Sequence, residues 1–570
     1  MGTGTPPVVD TAPGMQKNEA LQDTEQASER SQNPQVEERP QEGSIDPENE
    51  VRGTKLLLIF LALSLCTFLV GLDFNLIATA IPVITSEFNS IRDVGWYGAA
   101  FQLALLPTQI YRCSTQPLAG KTYVLFSKKI VFLTYLAIFE AGSLVCALAP
   151  TSNVLIGGRA IAGLGASGIF AGGLVILTTI IPLHKRPIWT GAWGSTFAIA
   201  SIVGPVIGGA LTQHLTWRWC FYINLPIGGF AAAICVILLR LKAAETEKVA
   251  LVDKVKSLDG IGFTLFAGSI TMLLLALQWG GVEFSWNSSV IIGLLVGFAV
   301  GIVLFIPWQI YLQDTALIPP RLFKTHRNIG LICGSAFFVN GPFQMIVYWL
   351  PIWFQAVLGD SPERSGIDYL PTVISDAVTS VIGSGIAMKI GYWNPFLVLG
   401  IAMVSIGGGT LSLLHPGVVY AKIIGYQILG GVGFCLATNM SHIGTQASLP
   451  MELVPIGATN LLTVISTSCS IFLAIGQLVF QRSILTNLSN VVSQDVVDRV
   501  ISSGATNLAS VVDATDLPAV IQAYGKSVTQ VFYITAASPV ISFFLILACS
   551  WITTKKAPQG GQDEKGSIAK

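Results

Sequence analysis

The chain has 570 residues, of which 52% are apolar and only 11% are Asp, Glu, Lys or Arg. A soluble domain carries about 25% charged residues, so an ordinary water-soluble enzyme of this size is excluded: there is too little charge to coat its surface. Lys plus Arg and Asp plus Glu both number 32, so no net field argues for nucleic acid or another charged partner. The nine cysteines are scattered singly without a C-x-x-C pair, which leaves zinc and thiol redox chemistry without a framework.

In chain order, residues 1–55 come first. They are rich in Glu, Gln, Pro and Ser up to about residue 50, and read as a disordered cytosolic tail rather than a signal peptide. Apolar runs of spanning length follow, since a helix needs about 20 apolar residues to cross the bilayer core. Fourteen are expected, at about 56–80, 96–117, 130–149, 154–181, 187–212, 219–240, 258–279, 289–312, 328–356, 367–388, 394–414, 419–444, 456–484 and 530–553. An even count puts both termini on one side. Loops on the tail side carry fourteen basic residues, among them Lys121, Lys128, Lys129, Lys185 and Arg186. Short loops on the other side carry four: Arg92, Arg218, Arg364 and Lys422. The positive-inside rule then places both termini in the cytosol. One outer segment, about 485–529, is long and reads as an extracellular loop, and residues 554–570 form a second polar tail. Two N-x-S sites, at Asn287 and Asn487, fall on the expected exterior as candidate glycosylation sites. The expectation is an all-α polytopic membrane protein with the lipid bilayer as its solvent.

Nucleotide chemistry is absent. Gly120-Lys121-Thr122 ends like a phosphate-binding loop, but position 115 is Thr where the cradle needs Gly, and Gly525-Lys526-Ser527 fails likewise at Val520. No use of ATP is expected, and no metal or other cofactor. Gly163-Leu164-Gly165-Ala166-Ser167-Gly168 fits G-x-G-x-x-G but sits inside an apolar helix, where small residues serve close helix packing. These absences point to a secondary transporter rather than an enzyme.

An ionisable group inside a span costs at least about 2.5–3.5 kcal/mol, so each is a functional candidate. Asp73 sits in the outer half of span 1 as a carboxylate able to load and release a proton, or as a fixed structural group. Arg159 lies one to two turns inside span 4 and Arg112 near the inner third of span 2. Glu140 is mid-span 3 and Asp376 mid-span 10; either could be a second proton site or a polar helix contact. Lys422 and Asp368, near helix ends, read as interfacial. In span 5, Ala200, Gly204 and Gly208 recur every four residues, with Pro205 and Gly209 interrupting the same stretch. A kinked helix with a small-residue face suits a rocking interface between two bundles. Phe101, Gln102, Trp193, Trp349, Phe354, Gln355 and Asn439 are candidate lining for a cavity holding a small hydrophobic substrate. Trp217 and Trp219 flank an outer helix end, where an aromatic belt is expected.

These residues carry a family resemblance. Ala200-Ser-Ile-Val-Gly204-Pro205-Val-Ile-Gly208-Gly209 resembles the antiporter motif of drug/proton antiporters in the major facilitator superfamily, with only its first Gly replaced, by Ala200. Arg159-Ala-Ile-Ala-Gly163-Leu-Gly165 resembles the span 4 motif, whose arginine is associated with proton transfer. Leu72-Asp73 through Ala80-Ile81-Pro82 and Trp217 through Gly228 are similar to signatures of the fourteen-span branch. The loop motif Gly120, Lys121, Lys128, Lys129 departs from the superfamily form: Val124 and Leu125 stand where an Asp and an Arg are usual. That altered form resembles fungal members that export toxins and other secondary metabolites. The resemblance implies the major facilitator fold as 6+2+6 helices: an N-terminal bundle at 56–240, an inserted pair at 258–312 and a C-terminal bundle at 328–553. It further implies alternating access to a midplane substrate site coupled to protons, in the plasma membrane or alternatively the vacuolar membrane. Uptake of siderophores or basic amino acids, and sensing without transport, remain open alternatives.

Overall fold

A computed structural model describes residues 53–87, 115–182, 185–241, 257–281, 284–450, 453–503 and 512–553, together with Met1, Gly2, Gly4, Val51 and Lys254. The expected tails and the stretch 88–114, with most of span 2, lie outside the described residues. The regular elements described are helices, with two isolated β-bridges between them.

The long helices follow the apolar runs. We label them α1 (Gly53–Glu87), α2 (115–125), α3 (Lys128–Ala147), α4 (Ser152–Ile180), α5 (Arg186–His214) and α6 (Trp219–Leu238). Next come α7 (Gly260–Trp279), α8 (Ser289–Leu312), α9 (Arg327–Trp353), α10 (Leu370–Ile390), α11 (Asn394–Leu411), α12 (Tyr420–Ala447), α13 (Val454–Ser489) and α14 (Leu517–Leu547). Among the described residues, twelve helices are long and apolar enough to cross a membrane; α5 and the described part of α2 are not among them.

Local chemistry sets the ends. The side chains of Asp259 and Ser288 accept hydrogen bonds from the N–H groups of Gly262 and Ile291, capping α7 and α8. Gly391, at φ 83°, closes α10 in a left-handed turn that a residue with Cβ resists. Pro351 removes an N–H near the end of α9, and the helix continues into a widened π turn, Phe354–Leu358.

In the first half, α1 packs on α5 and α6, and α3 on α4. The α3–α4 contact explains the glycines at 163–168. A Cβ on Gly165 would lie 2.6 Å from Phe139 Cα, and one on Gly168 would enter the Tyr135 ring. Backbone meets backbone there, as expected for packing rather than for dinucleotide binding. In the second half, α9 packs on α13 and α14, and α11 on α12 and α14. The pair α7–α8 packs on itself and α7 touches α13. Across the halves, α5 packs on α10.

The segment 485–529 corrects the expectation of a loop. Helix α13 runs on to Ser489 and α14 starts at Leu517, with a helix Gln494–Ser503 between them. Val497 and Val500 of that helix are fully buried in one cluster with Trp353, Phe354, Leu488 and Val520. Hydropathy reports immersion in lipid, not helix length, so polar helix turns beyond the bilayer core were read as loop.

Candidate functional site

Two intramembrane charges meet. Arg159 Nη1 donates to Asp73 Oδ2 at 2.6 Å, joining α4 to α1. Arg159 is 1% exposed and Asp73 4%. The pair is monodentate: Asp73 Oδ1 and Arg159 Nε and Nη2 have no hydrogen-bond partner. The guanidinium also stands 5.8 Å from the centre of the Phe221 ring on α6. A buried pair recovers its desolvation cost only when its remaining lone pairs and protons are satisfied. Here three of the five side-chain nitrogen and oxygen atoms of the pair lack a hydrogen-bond partner.

Among the described residues, Glu140 and Asp376 make no hydrogen bond to this pair. Glu140, on α3, faces α6, where a Cβ on Gly228 would collide with its Oε1. Both Glu140 oxygens are buried without a partner. Asp376 lies on α10 facing Cys435 of α12. From there, Asn439 Nδ2 donates to Ser380 Oγ at 3.0 Å, and Ser380 Oγ donates to Gly191 O of α5 at 2.6 Å. Arg112, Phe101 and Gln102 lie outside the described residues.

The small-residue face of α5 turns out to work within its own half. Ala200 is buried and its Cβ would be 2.8 Å from a Cβ on Gly71 of α1. The glycine missing from α5 is thus matched by one on α1. Cys220 Sγ of α6 reaches Gly208 O at 4.0 Å. Gly204 is buried, and the surroundings of Pro205 and Gly209 lie outside what is described. The close approach to the other half sits earlier on α5. A Cβ on Gly191 would strike the Ser380 carbonyl and stand 3.0 Å from Ser384 Oγ.

The loop-motif residues gather helix ends at one end of the molecule. Lys128 Nζ donates to Thr179 Oγ1 of α4 at 3.1 Å, and Lys129 Nζ to Val236 O of α6 at 2.6 Å. Lys121 Nζ donates to Ser257 O at 2.8 Å and also to Thr315 O. Burial pushes the Lys121 ammonium down to about 8, opposed by the Asp259 carboxylate. Gly120 abuts α13: a Cβ there would lie 2.5 Å from Thr459 Cβ. Gln116 Oε1 accepts from Ser466 Oγ at 3.0 Å along the same seam.

Several expected roles change. Phe354 is 0% exposed inside an apolar core, so it packs rather than lines a cavity. Trp349, 2% exposed in the same core, stands 4.5 Å from the Phe480 ring with its indole N–H unpartnered. Trp193 is buried against Phe170 at 5.0 Å, with its indole N–H unpartnered. Gln355 donates to Ser365 Oγ, and Asn439 is engaged as above. Trp217 is 1% exposed, covered by the Arg218 guanidinium 4.4 Å away; only Trp219, 47% exposed, suits an interfacial belt. Asp368 is buried at the end of the helix Pro362–Asp368, where it accepts from Tyr420 Oη at 2.7 Å and pairs with the exposed Arg364 at 3.3 Å. Asn487 lies inside α13 with its amide donating to Ser527 Oγ at 2.9 Å, which withdraws it as a glycosylation site. Asn287 is exposed between α7 and α8. Sequence reading missed Asp259 and Gly191. The Asp before an apolar run opening with glycine was a helix-start signal for the first; the second had none.

Comparison with known proteins agrees with this architecture. The profile of the Major Facilitator Superfamily matches residues 63–477. The efflux pump aflT of Aspergillus parasiticus is 37% identical over 90% of this chain and 98% of its own. The rubrofusarin-specific efflux pump aurT of Gibberella zeae is 38% identical over 90% and 92%. The MFS-type efflux pump MFS1 of Arthroderma benhamiae is 40% identical over 89% and 93%. Among solved structures, the human organic anion transporter MFSD10 superposes with a TM-score of 0.56 at 11% identity, covering 87% of this chain and all of the other. A double Trp mutant of XylE also gives 0.56 at 11% identity, covering 88% and 97%.

Proposed function

From the premise that this chain belongs to the Major Facilitator Superfamily, we propose that it exports a hydrophobic small molecule of the secondary-metabolite or toxin class, driven by protons. The curated relatives, named as efflux pumps and matched along nearly their whole length, support export. The observation that carries the coupling is the buried, half-satisfied Asp73–Arg159 pair.

Protonating Asp73 removes the charge that holds Arg159. An arginine left unpaired at such burial costs about 3–5 kcal/mol, which a change of conformation relieves. The cycle then alternates between a deprotonated, paired state and a protonated state in which Arg159 finds other acceptors. Arg112, Glu140 and Asp376 stay as further candidate proton sites. Glu140, with both oxygens unpartnered, is suited to the neutral acid. Trp193 and Trp349 both keep a buried indole N–H without a partner, and both stay candidates to meet a carbonyl on a substrate.

The reading includes fourteen spans arranged 6+2+6, both termini in the cytosol, and the plasma membrane as the site of action. The basic excess of the loops supports the orientation. The hydrogen bonds of Lys121, Lys128 and Lys129 support the alternation, since they draw the ends of α2, α3, α4, α6, α7 and α8 together.

The test is efflux of a panel of hydrophobic toxins and dyes from cells expressing the chain, with and without a protonophore. Retention should rise when the proton gradient collapses. Efflux indifferent to the gradient removes the coupling, and net accumulation turns the reading to uptake.

A further inference from the structure

We propose that the inserted pair α7–α8 fastens the two halves closed at the α2–α3 end, with Lys121 as the hook and the carbonyls of Ser257 and Thr315 as the catch. The proposal rests on the alternating-access reading, and it gives a task to helices that lie outside both bundles in that reading.

Position 124 is Val and 125 is Leu, so no charge pair can form there to hold the α2–α3 loop. Lys121 remains, and its ammonium reaches out of its own half. One acceptor, Ser257 O, precedes α7; the other, Thr315 O, lies in the turn that follows α8. These two carbonyls are far apart in sequence and are held side by side by Asp259. Its carboxylate accepts from Gly262 N, Trp308 Nε1, Gln309 Nε2 and Leu317 N, each at 2.8 Å. Asp259 adopts a left-handed backbone, φ 53°, which a residue with a Cβ takes up only when its surroundings over-determine it. The catch is therefore rigid before the hook arrives.

The pair also straddles the seam between the halves. Phe266, Phe305 and Leu317 form one apolar cluster against which Leu118 of α2 and Ile471 of α13 both pack. Lys254, just before α7, stands 5.5 Å from the centre of the Phe126 ring at the end of α2. Immediately beside the hook, Gly120 abuts Thr459 and Gln116 accepts from Ser466, both across the α2–α13 seam. Drawing α2 away from α13 at this end strips a partly buried ammonium of two acceptors. Bonds to a charged donor are about twice as strong as neutral ones, so the seam stays shut until they are replaced.

The experiment reads seam opening directly. Ser466→Cys is introduced into the full-length chain in a Cys469→Ser background, in lipid nanodiscs, and labelled with a maleimide. Lys121→Met should raise the labelling rate about tenfold, whereas Lys121→Arg, which keeps the charge and donors, should label close to the parent. A parental rate in Lys121→Met overturns the proposal. A second measurement needs no variant at position 121. In the same Ser466→Cys reporter with Lys121 intact, Asp259→Ala, which releases the two carbonyls, should also raise the labelling rate several-fold, and a parental rate overturns the catch. Neither readout uses a substrate or a proton gradient. A chain that exports nothing would still report on the hook, and a failed hook leaves the efflux assay intact.

Discussion

At the scale of the residue, the decisive feature is that Asp73 and Arg159 have each other and little else. Asp73→Asn keeps the shape and removes the titration. Efflux should be lost while the chain still reaches the membrane. The orphaned guanidinium should lower stability by about 3–5 kcal/mol, visible in the unfolding midpoint. Replacing Arg159 as well, in Asp73→Asn with Arg159→Met, should restore much of that stability without restoring efflux, because the buried unpaired charge is gone but so is the switch. Wild-type efflux in Asp73→Asn would remove the carboxylate from the mechanism. Each residue was legible as a candidate in the sequence because it stood alone in an apolar run, where a cost of several kcal/mol demands a reason, but nothing in the sequence paired the two. The aromatic candidates were not legible in the same way. Trp349 and Trp193 sit in similar apolar surroundings in sequence, and both are buried in apolar clusters with an indole N–H that has no partner, so neither composition nor burial separates a packing tryptophan from a lining one.

At the scale of the element, α5 has one small-residue contact with its own half and another with the opposite half. Gly71 and Ala200 form the first, and a methyl added to Gly71 would fall 2.8 Å from Ala200 Cβ and 3.1 Å from Phe197. Gly71→Ala should therefore cost about 1–3 kcal/mol by overpacking. Adding Ala200→Gly should recover most of it, since one glycine at the crossing suffices whichever helix supplies it. Thermal unfolding of the two single variants and the double one checks this; a double variant no better than Gly71→Ala alone would break the argument. The described close approach in the glycine period of span 5 is that of Ala200 to Gly71 of α1, and a period by itself does not name the partner helix. The contact with α10 at Gly191 falls outside that period, and a periodicity search passes over it. The cap over 485–529 escaped for a related reason. Its helix Gln494–Ser503 is short and buries a stripe of valines beneath a polar face, so its average composition is that of a loop.

At the scale of the whole molecule, two of the described contacts between halves are close enough to pin or to report on. They join α2 to α13 through Gln116–Ser466 and Gly120–Thr459, and α5 to α10 through Ser380 and Gly191. If the halves rock as bodies, both seams part together, and pinning one must stop the cycle. A short bifunctional thiol reagent bridging Gln116→Cys and Ser466→Cys provides the pin, since their side-chain ends are 3.0 Å apart in the parent chain. Cross-linking should abolish efflux, and a reductant that cleaves the bridge should restore it to the level of the unbridged double variant. Cross-linking should also shield position 191 on the unbridged seam. A Gly191→Cys probe would be too large for the contact with the Ser380 carbonyl, so the reporter is Ser384→Cys, 3.0 Å from the Cβ position of Gly191. Its labelling should slow when the distant α2–α13 seam is pinned. Efflux that continues through a fully bridged population would mean that substrate passes without this seam opening. Unchanged labelling at Ser384→Cys would mean that the two seams move independently, and the rigid-body account of the cycle would then fail even if the pinned chain were silent.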